Sequence, residues 1–184
     1  METTNYFNKI IQELTTAAAA INEREAEQLV NQILQSDKVF IAGAGRSGLM
    51  GRAFVMRLMH MGIECYVVGE TAAAPLAADD LLIICSGSGE TKTLSAIADK
   101  AKQLGGKIAV VTTATESTIA KLADVTVELS GATKDQSASD KTIQPMGSLF
   151  EQSMLLFFDA VVLRLMEKQE LDTEKMYKNH ANLE

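Results

Sequence analysis

Leu81-Leu82-Ile83-Ile84-Cys85-Ser86-Gly87-Ser88-Gly89-Glu90-Thr91 is an apolar run that passes straight into a loop of glycines and hydroxyls. Apolar residues at successive positions, without alternation, describe a strand buried on both faces, as in a parallel sheet. The helical pattern that follows over 90–104 makes this a strand–loop–helix unit, and the same unit recurs on both sides. Upstream, 38–42 is a short apolar run ending in glycines, followed by a helix over 47–61 and a strand over 64–68. Downstream come a strand over 107–112, a short helix over 117–122 and a strand over 124–128. Strands alternating with helices predict a three-layer α/β/α sandwich around a five-stranded parallel sheet with right-handed crossovers. The expected strand order is 2-1-3-4-5.

Two helices precede this core. Phe7, Ile10, Ile11 and Leu14 recur at helical spacing in 3–20. In 23–35 the stripe is Ala26, Leu29, Val30, Ile33 and Leu34, with Asn22 placed to cap it and Glu25 at the reciprocal position. A minimal parallel sheet does not need both, so the first is expected to face a second subunit. Residues 130–145 are polar and aperiodic, and a loop of that length in a compact domain is commonly functional. The helix over 147–168 is apolar on more than one face, which implies burial on several sides. The tail 172–184 is polar and carries Tyr177 and His180. The expectation is a single domain over 1–184: N-terminal helices 1–36, sheet core 38–128, and a C-terminal helix and tail 147–184.

Composition excludes several classes. Of 184 residues, 17 are Lys or Arg and 24 are Asp or Glu, giving a net charge of -7. A nucleic-acid binder usually carries the opposite sign. Cys65 and Cys85 both fall in apolar strands and read as buried free thiols. The opening METTNYFNKI lacks the basic and apolar segments of a signal peptide. No apolar run approaches the ~20 residues of a membrane span. The expected compartment is the cytoplasm.

Two loops carry the candidate chemistry. Gly43-Ala44-Gly45-Arg46-Ser47-Gly48 fits the dinucleotide pattern G-x-G-x-x-G, and Glu70 lies near the place of a ribose-binding acid. Against that reading, the sheet and its covering helices use almost the whole chain, leaving no substrate domain. In the second loop Ser86, Ser88 and Thr91 surround backbone amides at a helix N-terminus, and Gly87 and Gly89 allow close approach. Such a loop can cradle a phosphate. Its plain alternative is a capped helix, with Ser88 as the cap and Thr91 as a turn residue. Both loops lie at carboxyl ends of strands, the edge where open α/β sheets bind ligands.

AGAGRSG at 42–48, MRLMHMG at 56–62, VGET at 68–71, SGSGET at 86–91, QPMGSLFEQ at 144–152 and MYKNHANLE at 176–184 run in order along nearly the whole chain. Together they make it resemble the sugar isomerase (SIS) family of phosphosugar-binding domains. The resemblance implies the flavodoxin-like SIS fold, a sugar-phosphate ligand, a homotetramer, and no metal or organic cofactor. QPMGSLFEQ and the MYxxHANLE end favour the branch that moves a carbonyl between C3 and C2 of a hexulose 6-phosphate. It also implies roles. Ser86, Ser88 and Thr91 match the phosphate loop, and Ser47 matches a hydroxyl donor on the first loop, with Gly45, Gly87 and Gly89 shaping the two loops. Arg46 matches a basic position facing the sugar, and Glu151 the carboxylate base. His180 matches a tail histidine that lines the site, often from another subunit.

Each residue also has a plain reading. Glu151 near a helix start favours the helix dipole. His180 in a polar tail can be solvated, and His60 beside methionines reads as structural. The Met-rich stretch 50–61 reads as core packing. Glu90 either caps its own helix or assists proton transfer. Three other functions compete: a phosphosugar sensor, which normally carries a DNA-binding segment; a nicotinamide oxidoreductase; and an isomerase of an arabinose or heptose phosphate.

Overall fold

The protein is described by a computed structural model covering residues 2–131 and 142–183. Two helices, α1 (Thr3–Ala19) and α2 (Glu23–Gln35), lead into β1 (Val39–Gly43) and α3 (Gly45–His60). Then come β2 (Cys65–Val67), β3 (Leu81–Cys85), α4 (Lys92–Gln103), β4 (Lys107–Thr112), α5 (Thr118–Leu122) and β5 (Val125–Glu128). The long α6 (Ser148–Lys168) and short α7 (Thr173–Tyr177) complete the described elements. The strands form one parallel sheet in the order β2-β1-β3-β4-β5, as expected.

Alternation along each strand builds the two apolar layers. Val39, Ile41, Leu81, Ile83, Cys85, Ala109 and Val111 face one way and pack with residues of α2, α3 and α6. Phe40, Ala42, Leu82, Ile84, Ile108 and Val110 face the other way, onto α4 and α5. With helices on both faces, every residue of β3 is buried, which explains its unbroken apolar run.

Several boundaries differ from expectation. The α3 helix begins at Gly45, because this glycine, at φ +58, lets the chain turn into the helix at once. The α4 helix begins only at Lys92, since Thr91 is its extended N-cap. The tail contains α7, capped by Asp172, which accepts from Lys175 N at 2.7 Å. Asn22 caps α2 through a bond from Arg24 N. Glu25 answers through the Asn22 side chain at 3.1 Å rather than its backbone, and also accepts from Glu128 N. The methionines of 50–61 divide: Met61 is buried, while Met56 and Met59 are exposed.

Of the polar stretch 130–145, residues 132–141 lie outside the described residues. Its last part is tied to α1, where Glu13 accepts from Thr142 Oγ1 and Ile143 N at 2.7 Å and from Gln144 Nε2 at 3.0 Å. Burial pushes the Glu13 carboxyl up, but the three donors outweigh it and hold it below the usual range. Burial raises the Cys65 thiol to about 11 and the Cys85 thiol to about 12. Among the described residues no helix is long and apolar enough to cross a membrane.

Candidate active site

The first loop is closed by its own glycines. A Cβ on Gly43 would stand 2.8 Å from Gly48 Cα, and one on Gly48 would stand 2.5 Å from Gly43 O. The glycine pattern therefore answers to backbone packing between β1 and α3. Glu70, the candidate ribose acid, is paired with Arg52. These two facts remove the residue-level support for a dinucleotide.

This turn presents Arg46 and buries Ser47 at the carboxyl edge of the sheet. Arg46 Nη1 lies 3.0 Å from Ser148 Oγ and 3.2 Å from Glu151 Oε2. Both partners sit in the first turn of α6, three residues apart and therefore on one face. The Glu151 side chain is 5% exposed and that of Arg46 51%. A buried carboxylate is thus held by a cation that still reaches solvent, at a helix end whose dipole favours negative charge.

Phe150 joins this pair to the serine loop. A Cβ on Gly87 would meet its ring at 3.2 Å, and one on Gly131 would lie 2.6 Å from its Cβ. The ring is therefore seated between the loop after β3 and the chain after β5. Glu151 is the next residue of α6.

Within the serine loop two amides are not free, contrary to the sequence reading. Ser86 Oγ accepts from Gly89 N at 3.1 Å, and Ser88 Oγ accepts from Glu90 N at 3.3 Å. Each hydroxyl so engaged still has its proton to donate. Thr91, not Ser88, is the N-cap of α4, and it makes no side-chain cap bond. Glu90 does not cap its own helix. Its two oxygens accept from Thr118 N at 2.7 Å and Thr118 Oγ1 at 2.8 Å, at the start of α5. Those bonds, the backbone one first, hold its carboxyl below the usual range.

His180 lies at the opposite edge of its own chain. Its ring stacks on His60, the last residue of α3, with centroids 5.2 Å apart, and on Tyr177 at 5.8 Å. Asn179 Nδ2 donates to the His60 carbonyl at 3.0 Å. Arg46 is near the other end of that 16-residue helix, roughly 21 Å away. One chain therefore does not bring His180 to Glu151.

Burial, then His180, then Arg57 push the His60 imidazole below its ordinary value of 6.5. The folded chain resists protonation there while the unfolded chain accepts it. That contribution to stability is complete above about pH 6.5 and is lost as pH falls below it. The thermal midpoint is expected to drop between pH 7.5 and 5.5, and His60→Gln to flatten the slope. Parallel slopes for both proteins would remove His60 as the cause.

Sequence reasoning gave no role to Ser148, Phe150 or Glu13. Ser148 and Phe150 sit inside the quoted QPMGSLFEQ, where helical spacing from Glu151 could have marked Ser148. Glu13 left no signal, because its partners are about 130 residues away. A cavity of about 680 Å³ opens beside α1, lined by Lys9, Glu13, Thr113, Gly131, Ile143 and Leu149 among others. It borders the supports of the serine loop but contains neither Arg46 nor Glu151.

A profile of the SIS domain matches residues 32–156. The chain belongs to the SIS domain family. The SIS match contains both loops and Glu151, and leaves out α1 and His180. A Bacillus subtilis protein named 3-hexulose-6-phosphate isomerase is 57% identical to this SIS chain over 185 residues, covering 100% of both. A Mycobacterium gastri protein of the same name is 40% identical over 181 residues, covering 98% of this chain and 91% of that one. A solved structure from Methanococcus jannaschii, from which a 3-hexulose-6-phosphate isomerase function was inferred, superposes with a TM-score of 0.82. It is 33% identical and covers 100% of both chains.

Proposed function

We propose that this chain is a 3-hexulose-6-phosphate isomerase, interconverting D-arabino-hex-3-ulose 6-phosphate and D-fructose 6-phosphate, as in the ribulose monophosphate route of formaldehyde fixation. The observation that carries the reading is the buried Glu151 carboxylate, held by Arg46 on a helix whose Phe150 packs against Gly87 of the serine loop. The names of the full-length relatives support the substrate.

The reaction needs one carbon-bound proton moved between C2 and C3. The proton on C2 is acidic because it adjoins the C3 ketone. Glu151 removes it, giving a cis-enediolate, and returns it at C3. Burial keeps competing water from the carboxylate. Arg46 spends one nitrogen on Glu151 and Ser148, and the rest of its guanidinium can face the enediolate oxygens. The phosphate, held by Ser86, Ser88, Thr91 and Ser47, keeps the reacting carbons in register. His180 serves proton exchange between O2 and O3 only from a neighbouring subunit, given its place in its own chain.

An assembly that supplies this histidine is supported by exposed apolar residues on three helices. They are Phe7 and Ile11 on α1, Leu49 and Met56 on α3, and Leu156 and Leu163 on α6. An exposed apolar surface of that kind favours association. We read the chain as one SIS domain over 1–184 that forms a homotetramer in the cytoplasm. Light scattering that finds a stable 19.8 kDa species at micromolar concentration would overturn the tetramer.

The direct test supplies the hexulose 6-phosphate and follows fructose 6-phosphate, with no added metal or nicotinamide. Turnover supports the assignment. Binding without turnover would make the chain a sensor, and turnover only with arabinose or heptose phosphates would reassign the substrate. Ser88→Ala is expected to raise KM for the phosphorylated sugar about tenfold, the loss of a hydrogen bond to a charged group. Binding of an unphosphorylated analogue should change little. Equal losses for both would move the phosphate elsewhere.

A further inference from the structure

The Gly87 carbonyl is held by more donors than a loop carbonyl needs. It accepts from Thr113 N at 3.0 Å, Thr113 Oγ1 at 2.9 Å and Thr112 Oγ1 at 3.0 Å. Thr112 is wholly buried, and its oxygen also accepts from Ala114 N at 3.1 Å. Its one proton is therefore committed to Gly87. On the other side, Gly87 lies against the Phe150 ring.

A trans peptide carries its C=O and N–H on opposite sides, and no cis bond occurs among the described residues. The carbonyl of the Gly87–Ser88 peptide is drawn toward β4. Its N–H, that of Ser88, therefore points away from β4. In the sheet β3 stands between β4 and β1, so that direction is the β1 side, where Arg46 and Ser47 begin α3. The strand order reverses between β1 and β3, which is where open α/β sheets take ligands. The next two amides, of Gly89 and Glu90, are already taken by Ser86 and Ser88. The Ser88 N–H has no acceptor among the described residues.

We infer that Thr112 and Thr113 are positioning residues that lock the Gly87–Ser88 peptide so that the Ser88 N–H is presented to the substrate phosphate. This rests on the reading of the serine loop as the phosphate site. It adds a backbone donor to the loop hydroxyls, and two residues outside the loop that aim it. The threonines themselves act through the peptide.

The probe is inorganic phosphate, titrated into the full-length, nitrogen-15-labelled protein while the Ser88 amide resonance is followed. In the unaltered protein that resonance should move downfield and saturate. Thr113→Val keeps side-chain shape and the backbone bond but removes one hydroxyl. It should raise the phosphate Kd and the KM for the sugar phosphate about five- to tenfold. The Ser88 shift should shrink, and kcat should stay within about twofold. Thr113→Ser should restore all three. Should valine not be accommodated, Thr113→Ala gives the same comparison. If the Thr113 variants leave KM and the Ser88 shift unchanged while Ser88→Ala raises KM, the positioning role is overturned and the phosphate site stands. If phosphate never moves the Ser88 resonance and Ser88→Ala leaves KM unchanged, the phosphate site itself has failed. A fall in kcat and thermal midpoint that serine does not rescue would show a merely structural role and overturn the inference.

Discussion

Glu151→Gln is expected to lose at least ~100-fold in turnover while the protein stays folded and still binds sugar phosphate. A positioned proton-transfer group typically contributes 10²–10⁴-fold, and glutamine removes the basic lone pair while keeping the size. The structure makes this substitution informative. The side chain is 5% exposed and lies 3.2 Å from Arg46, so the amide oxygen can still accept that bond and the fold loses no volume. The group left without its counter-ion is Arg46, which is half exposed and can be hydrated, so stability should change little. Exchange of the C2 proton with deuterated solvent should fall in parallel, since exchange and isomerisation share the enediolate. Near-normal turnover and exchange in the variant would mean that the base lies elsewhere. Glu90 is a poor successor, because both of its oxygens are bonded to Thr118.

Gly89→Ala should be nearly as damaging, by a different route. Gly89 has φ +62, a conformation costing roughly 1–2 kcal/mol once a Cβ is present. That Cβ would also fall on Ser117 Oγ and stand 2.5 Å from Ser117 Cβ. Ser117 is the N-cap of α5, and Ile119 N donates to the Gly89 carbonyl at 3.1 Å. The serine loop and the start of α5 cannot both keep their places. The expected cost is about 2 kcal/mol or more, which for a chain this long lowers the midpoint by about 4–8 °C. Displacement of Ser86 and Ser88 should raise KM at least tenfold. An alanine variant with unchanged midpoint and KM would show that the loop is not held at this point.

Local features account for the parts of the site that were legible. The serine loop follows a fully buried strand and opens a helix, so its place at the carboxyl edge comes from strand–loop–helix order alone. Arg46 and Ser47 are placed by the same logic. Glu90 was ambiguous because its choice between proton transfer and capping depends on α5, which lies 28 residues further along the chain. The place of His180 is undecided by sequence for a related reason. The tail motif marks it as important, but its own chain stacks it on His60, at the end of the sheet away from Glu151.

By itself the sequence determined the sheet, the edge at which its glycine loops gather and the candidate reactive groups. Apolar runs without alternation force burial on both faces, and glycines with hydroxyls at strand ends leave little choice of loop. The tertiary structure decided which groups meet. Arg46 reaches Ser148 and Glu151 across about 100 residues. Phe150 wedges between Gly87 and Gly131, Glu13 holds the entry to α6, and two threonines after β4 turn a peptide in the loop after β3. Such contacts depend on the packing of layers that are distant along the chain, and no local pattern of residues encodes them.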